Sequence, residues 1–79
     1  MIVDHTGKLV QWLLSLCPVE CSGRLLDILA ILAHATDRVD FDCFDPREED
    51  VNNFSIALCH GKRLYFRWEH PFASNVTIR

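Results

Sequence analysis

Between Asn53 and Trp68 the chain alternates apolar and polar residues on both sides of a short interruption. Phe54, Ile56 and Leu58 alternate with Ser55, Ala57 and Cys59, and after Cys59-His60-Gly61-Lys62 the series resumes as Arg63-Leu64-Tyr65-Phe66-Arg67-Trp68. Two period-two runs about a glycine turn predict a β-hairpin. Successive strand side chains point to opposite faces, so Leu64, Phe66 and Trp68 are expected to face a core and Arg63, Tyr65 and Arg67 to face away from it. A chain carrying this hairpin must cover one face with apolar side chains, and it leaves a basic, aromatic surface on the other.

The cover is expected from the N-terminal half. Leu9, Val10, Leu13, Leu16 and Cys17 share one face of a helix over roughly Lys8 to Leu16, with Thr6 or Asp4 as its cap, Trp12 off that face and Pro18 as its stop. Ile2 and Val3 suit a short strand before it. Ser22 reads as the cap of a second helix from about Gly23 to Ala35, whose apolar residues occupy nearly the full circumference and predict a central position. Arg24 and Asp27 are expected to pair at i, i+3, and His34 suits the C-terminal end of the helix dipole. Val39, Phe41 and Cys43 alternate with Asp40 and Asp42 as a short strand, Pro46 to Asn53 reads as a charged connector, His70-Pro71 ends the hairpin, and Asn75 to Ile78 is a last strand. The order predicts one α+β domain over residues 1–79, an antiparallel sheet of about four strands with two N-terminal helices packed on one face.

Charge is segregated along the chain. Residues 37–50 hold seven acids against Arg38 and Arg47, a net −5, whereas the remainder of the chain is net +2, for a total of −3. Such a molecule is expected to be dipolar. The apolar run from Leu25 to Ala33 contains Asp27 and is too short to span a bilayer. The N-terminus lacks the pattern of a secretory signal, so a cytoplasmic protein with reduced cysteines is expected. Cys17, Cys21, Cys43 and Cys59 are then read as structural thiols, with a disulfide, a nucleophile, or a zinc site completed by His60 and His70 as the alternatives.

The phrase Asn53-Phe54-Ser55-Ile56, a turn, Arg63 to Trp68, and then Asn75-Val76-Thr77-Ile78 resembles the C-terminal sheet of HigB-type toxins in the RelE/ParE superfamily. There the sheet reads approximately aromatic-Ser-Ile-Arg, a polar turn, Trp-Arg-Ile-x-Phe-x-Trp and Asn-Val-x-Ile. Leu29 to Phe41 is similar to that family's second-helix ending, and Met1-Ile2 with Gly7 to Leu13 to its opening. The resemblance implies a RelE-like fold that presents a basic sheet to messenger RNA on the ribosome and cuts by attack of the ribose 2′-hydroxyl on the adjacent phosphate. It implies that Arg63 holds a phosphate; Lys62, Tyr65 and Arg67 match no catalytic motif of the family, and in a toxin reading Lys62, Arg67 and one of His60 or His70 would supply charge or proton transfer. This chain departs from the pattern. Ala57 stands in place of an arginine, Gly61-Lys62 in place of a polar-aromatic pair, and the acidic Asp45 to Asp50 in place of a basic loop. The sequence also ends at Arg79, before the family's catalytic Asp-Tyr-His.

Those departures favour a small non-enzymatic binding or inhibitor protein without catalytic residues, metal or cofactor. Trp12, Phe44, Asp45, Glu48, Glu49 and Asp50 would form an acidic face that blocks a protein partner, a nucleic-acid-handling complex, as small phage anti-defence proteins that inhibit CRISPR effectors do. The alternative is the ribosome-dependent messenger-RNA endonuclease toxin, with ribosome, messenger RNA and an antitoxin as partners. A third reading is an inactive antidote that pairs its last strand with a partner's sheet edge.

Overall fold

The computed structural model describes Ile2 and residues 8–79. The chain runs through α1 (Leu9–Leu16), a 3₁₀ turn (Val19–Cys21), α2 (Ser22–His34), a 3₁₀ helix (Arg38–Phe44), β1 (Arg47–Asp50), β2 (Asn53–Ala57), β3 (Arg63–Glu69) and β4 (Phe72–Ile78). The strands form one antiparallel meander in the order β1-β2-β3-β4, and the helices supply the apolar cover on one face. This is the α+β arrangement the hairpin calls for. The expected strand residue Val3 and the caps Thr6 and Asp4 lie outside the described residues, whereas Ile2 makes an isolated parallel bridge to Ala73 of β4.

The central hairpin follows from its turn. His60 and Gly61 both have positive φ, 53° and 76°, and the Lys62 amide donates to the Cys59 carbonyl at 2.9 Å. Two consecutive left-handed residues match the twist of the flanking strands. The resulting register sets Phe54 opposite Phe66 and Ile56 opposite Leu64, so both strands turn the same apolar set inward. A slip of one residue would place Phe54 opposite Arg67 and expose that set. In β4 the alternation breaks at Asn75, whose φ of 53° marks an irregular ladder, and Ala73, Val76 and Ile78 all reach the core as a result.

Helix α2 buries Leu25, Ile28, Leu29 and Leu32, one stripe at i, i+3, i+4 and i+7, while Leu26 and Ile31 are exposed. The helix is therefore one-sided rather than central, because the sheet lies on only one side of it. Ser22 does not cap it. A 3₁₀ turn runs straight into α2, and the Ser22 hydroxyl donates back to the Val19 carbonyl at 2.8 Å.

The expected strand at Val39 to Cys43 is a 3₁₀ helix. Asp37 and Asp40 form a reciprocal cap at its start: the Val39 amide donates to Asp37, and the Thr36 and Asp37 amides donate to Asp40 Oδ2 at 2.9 and 3.2 Å. With three residues per turn, Phe41 and Phe44 fall on one side and Val39 is left 70% exposed. Phe41 is fully buried, its ring centroid 5.0 Å from Trp68, 5.3 Å from Phe66 and 6.1 Å from Phe54 in edge-on contacts. The connector expected at Pro46 to Asn53 instead contains β1, which pairs with β2 at the sheet edge and is exposed throughout. Its four charged residues suit an edge that must not pair further.

Candidate functional site

The helices leave the opposite face of the sheet open. On that face the ladder sets Arg47 beside Ser55, Ser55 beside Tyr65, and Tyr65 beside Thr77, with Arg63 and Arg67 at the alternate positions of β3. Ser55 is the fully buried hub. Its hydroxyl donates to Glu49 Oε1 at 2.5 Å and accepts from Arg63 Nε at 2.9 Å, while Arg63 Nη2 donates to the Ser55 carbonyl at 3.3 Å. Glu49 Oε1 also accepts from Arg47 Nε at 2.7 Å. The Ser55 and Arg47 hydrogen bonds hold the Glu49 carboxyl below the usual carboxylate range, and Glu49 in turn raises Arg47.

Further along β3, Arg67 pairs with Glu69, and the Arg79 guanidinium lies 5.3 Å from the Tyr65 ring centroid. Tyr65, Arg67, Asn75 and Arg79, together with the carboxylates of Glu49 and Asp50, line a shallow concavity of about 460 Å³ in this face. The open face thus holds four arginines, Arg47, Arg63, Arg67 and Arg79, around one half-buried tyrosine. Neutral or single carboxylate partners fix their directions. Forked donors and an aromatic ring on a pleated surface suit phosphate groups and stacked bases.

No protein-family model matches the chain, and neither does any curated protein or solved structure. The arrangement of side chains therefore carries the functional argument.

Arg24 does not pair with Asp27. Its Nε donates across 33 residues to the Ala57 carbonyl at 2.7 Å, and its guanidinium lies 5.9 Å from the Phe44 ring centroid. Phe44 is half-buried against the core, and Asp45, with φ of 54°, ends the 3₁₀ helix. Alternation along β1 separates the acids expected to act together. Glu49 joins the arginines of the open face, whereas Glu48, opposite Phe54, lies on the other side of the strand, and Asp50 accepts the Val51 amide at 2.7 Å. Trp12 is 48% exposed on α1, which packs at the β4 side of the sheet, away from the β1 edge. The structure therefore does not gather Trp12 with residues 44–50.

Lys62 is exposed in the β2–β3 turn, and His60 in that turn lies 3.9 Å from Glu20 of the helical layer. His70 is exposed between β3 and β4, its ring centroid 6.3 Å from that of Trp68. Of the residues a toxin reading would use, Arg63 and Arg67 share the open face and His60 does not join them.

The cysteines differ from expectation. Cys21 and Cys59, 38 residues apart, form a disulfide with Cα atoms 5.8 Å apart, because the 3₁₀ turn before α2 lies against the β2–β3 turn. Cys17 is a buried thiol whose pKa burial raises, and Cys43 is exposed. Among the described residues, no three His, Cys, Asp or Glu side chains gather as a metal site, and no helix is long and apolar enough to cross a membrane.

Alternation in the sequence placed Arg63, Tyr65 and Arg67 on one surface. It could not reveal Ser55 as their anchor, because an isolated serine in a strand carries no signal of its own. Nor could it reveal Arg24, whose acceptor is a backbone carbonyl far away in the chain.

Proposed function

We propose that this chain is a non-enzymatic binding domain that takes single-stranded nucleic acid, RNA in the first instance, on the open face of its sheet. The carrying observation is the set Arg47, Arg63, Arg67 and Arg79 around Tyr65 on a face that none of the described helices covers. Guanidinium groups would neutralise backbone phosphates while Tyr65 offers a ring for a base, a combination that binds single strands with little sequence preference. In this reading the protein works in the cytoplasm, and Glu48 keeps the β1 edge soluble rather than serving as a decoy, while Asp50 borders the concavity.

The same face also favours a second reading, the HigB/RelE-type messenger-RNA endonuclease, since Arg63 and Arg67 both stand on it. Binding alone is preferred because His60 lies by Glu20 of the helical layer and His70 beside Trp68, so neither joins Arg63.

Fluorescence anisotropy with a labelled single-stranded RNA of about ten nucleotides tests the proposal. Binding should weaken with added salt at a slope of about −0.7 per phosphate neutralised. Arg67→Gln and Tyr65→Leu should each weaken it, while Glu48→Lys should not. Binding that is absent, or that is abolished by Glu48→Lys with Asp50→Lys while a protein partner is lost in parallel, returns the acidic-face inhibitor as the better account. Cleavage of messenger RNA during translation, lost in Arg63→Ala, establishes the endonuclease.

A further inference from the structure

A second cleft, of about 500 Å³, opens at the border of the sheet's open face, where α2, the end of the 3₁₀ helix and β2 meet. Arg24, Phe44, Asp45, Arg47, Ala57 and Arg63 line it. Three guanidinium groups from three different elements thus converge on one cavity. Among the described residues Asp45 is the single carboxylate in the lining, and Glu49, which holds Arg47, adds a second nearby, so cations still outnumber anions there.

Arg24 and Arg63 are held in an unusual way. Each is oriented through Nε by a neutral oxygen of β2, Arg24 by the Ala57 carbonyl at 2.7 Å and Arg63 by the Ser55 hydroxyl at 2.9 Å. Neither forms an ion pair among the described residues. Ordering an arginine side chain costs rotamer entropy; Glu49, whose carboxyl Arg63 helps to lower, offsets part of it for Arg63, and Asp45 lies in the same lining as Arg24. The arrangement holds both guanidinium groups at one cleft with terminal N–H donors to spare. That is the state a preorganised anion site requires.

We propose that this cleft binds a phosphomonoester dianion, the terminal phosphate of a nucleic-acid strand whose backbone lies on the adjacent open face. A dianion with three equivalent oxygens can use the donors of Arg24, Arg47 and Arg63 together, whereas a carboxylate has only two oxygens and one charge. The strand is the source because Arg47 and Arg63 belong both to this cleft and to the open face, so a chain leaving the cleft continues onto Tyr65 and Arg67. This assignment rests on the nucleic-acid reading above, and Arg24 is the residue that belongs to the cleft alone.

The test uses the whole protein and separates the two claims. Inorganic phosphate is titrated while the Nε–H signals of Arg24, Arg63 and Arg67 are followed by NMR, and anisotropy compares one RNA carrying either a 5′-phosphate or a 5′-hydroxyl. The cleft predicts that phosphate shifts Arg24 and Arg63 but not Arg67. It also predicts that the 5′-phosphate tightens RNA binding by about tenfold, as expected for charge-assisted hydrogen bonds. Arg24→Gln, an exposed position, should remove that preference and leave the affinity for the 5′-hydroxyl RNA unchanged. Equal affinity for the two RNAs, or a preference that survives Arg24→Gln, overturns the assignment. If phosphate shifts Arg24 and Arg63 but neither RNA binds, the cleft stands as an anion site and the nucleic-acid source falls. A phosphoserine peptide that gains tenfold over its unmodified form, with no difference between the RNAs, also overturns the nucleic-acid source.

Discussion

Arg63 Nε donates to the Ser55 hydroxyl at 2.9 Å, and this one contact joins a fully buried side chain to the exposed chemistry of the open face. Ser55 passes the connection on to Glu49, so three residues on three strands share one oxygen as their pivot. Buried networks of this kind are stable only when every member is satisfied.

Ser55→Ala is therefore expected to cost about 0.5–1.5 kcal/mol, the net worth of the hydroxyl's hydrogen bonds, since Glu49 keeps Arg47 and Arg63 keeps the Ser55 carbonyl. Chemical denaturation measures the loss, and the Arg63 Nε–H signal should move toward that of a free arginine. A variant with wild-type stability and an unmoved Arg63 signal would show that the pivot carries no weight.

Phe41 closes the core from the 3₁₀ helix and touches the rings of Phe54, Phe66 and Trp68. Phe41→Ala should cost about 3–5 kcal/mol, the range for removing a buried aromatic ring. Val39→Ala, at an exposed position of the same helix, should stay within about 0.5 kcal/mol. Thermal melting that ranks the two variants the other way would contradict the packing described.

Reduction, or Cys21→Ala, removes a cross-link closing 38 residues and should lower stability by about 2–4 kcal/mol. The fold should survive, because Leu25, Ile28 and Ile56 remain buried nearby. Such bonds persist mainly in oxidising compartments. Alkylating the thiols of acid-quenched cells therefore also reports on location. Free Cys21 and Cys59 agree with the cytoplasm, and a fully oxidised pair argues for another compartment.

Acid should weaken the fold through Asp40 and Glu49. The amides of Thr36 and Asp37 lower the Asp40 carboxyl, and Ser55 with Arg47 lowers Glu49. A carboxyl whose folded value lies below its unfolded one stabilises fully above the unfolded value and loses that contribution as pH falls through the folded one. The denaturation midpoint should hold from neutrality to about pH 5 and decline below about pH 4. Asp40→Asn should flatten part of the decline, whereas Asp42→Asn, at a side chain without a hydrogen-bond partner among the described residues, should not. Identical acid profiles for wild type and Asp40→Asn would refute this source of the dependence.

The hairpin was legible because alternation and turn agree. Leu64, Phe66 and Trp68 could face only one way, and His60-Gly61 could adopt the turn at little cost. The 3₁₀ helix at Arg38–Phe44 was not legible, because Val39, Phe41 and Cys43 imitate a strand. The cap formed by Asp37 and Asp40, with a core pocket open to Phe41 alone, overrode that pattern. The acidic run misled for a related reason. Its charges are contiguous in sequence, yet the cap uses Asp37 and Asp40, and β1 sends Glu48 and Glu49 to opposite faces.

Side-chain periodicity alone determined that this chain builds a sheet with one apolar and one basic face, since strand geometry leaves no other outcome for Arg63 to Trp68. Tertiary structure decided which side chain anchors Arg63 and Glu49, which sulfurs meet and which arginines converge. Those outcomes depend on partners 6 to 38 residues away in sequence, Glu49 to Ser55 at one extreme and Cys21 to Cys59 at the other, and only packing α2 and the 3₁₀ segments against the sheet brings the distant ones within reach.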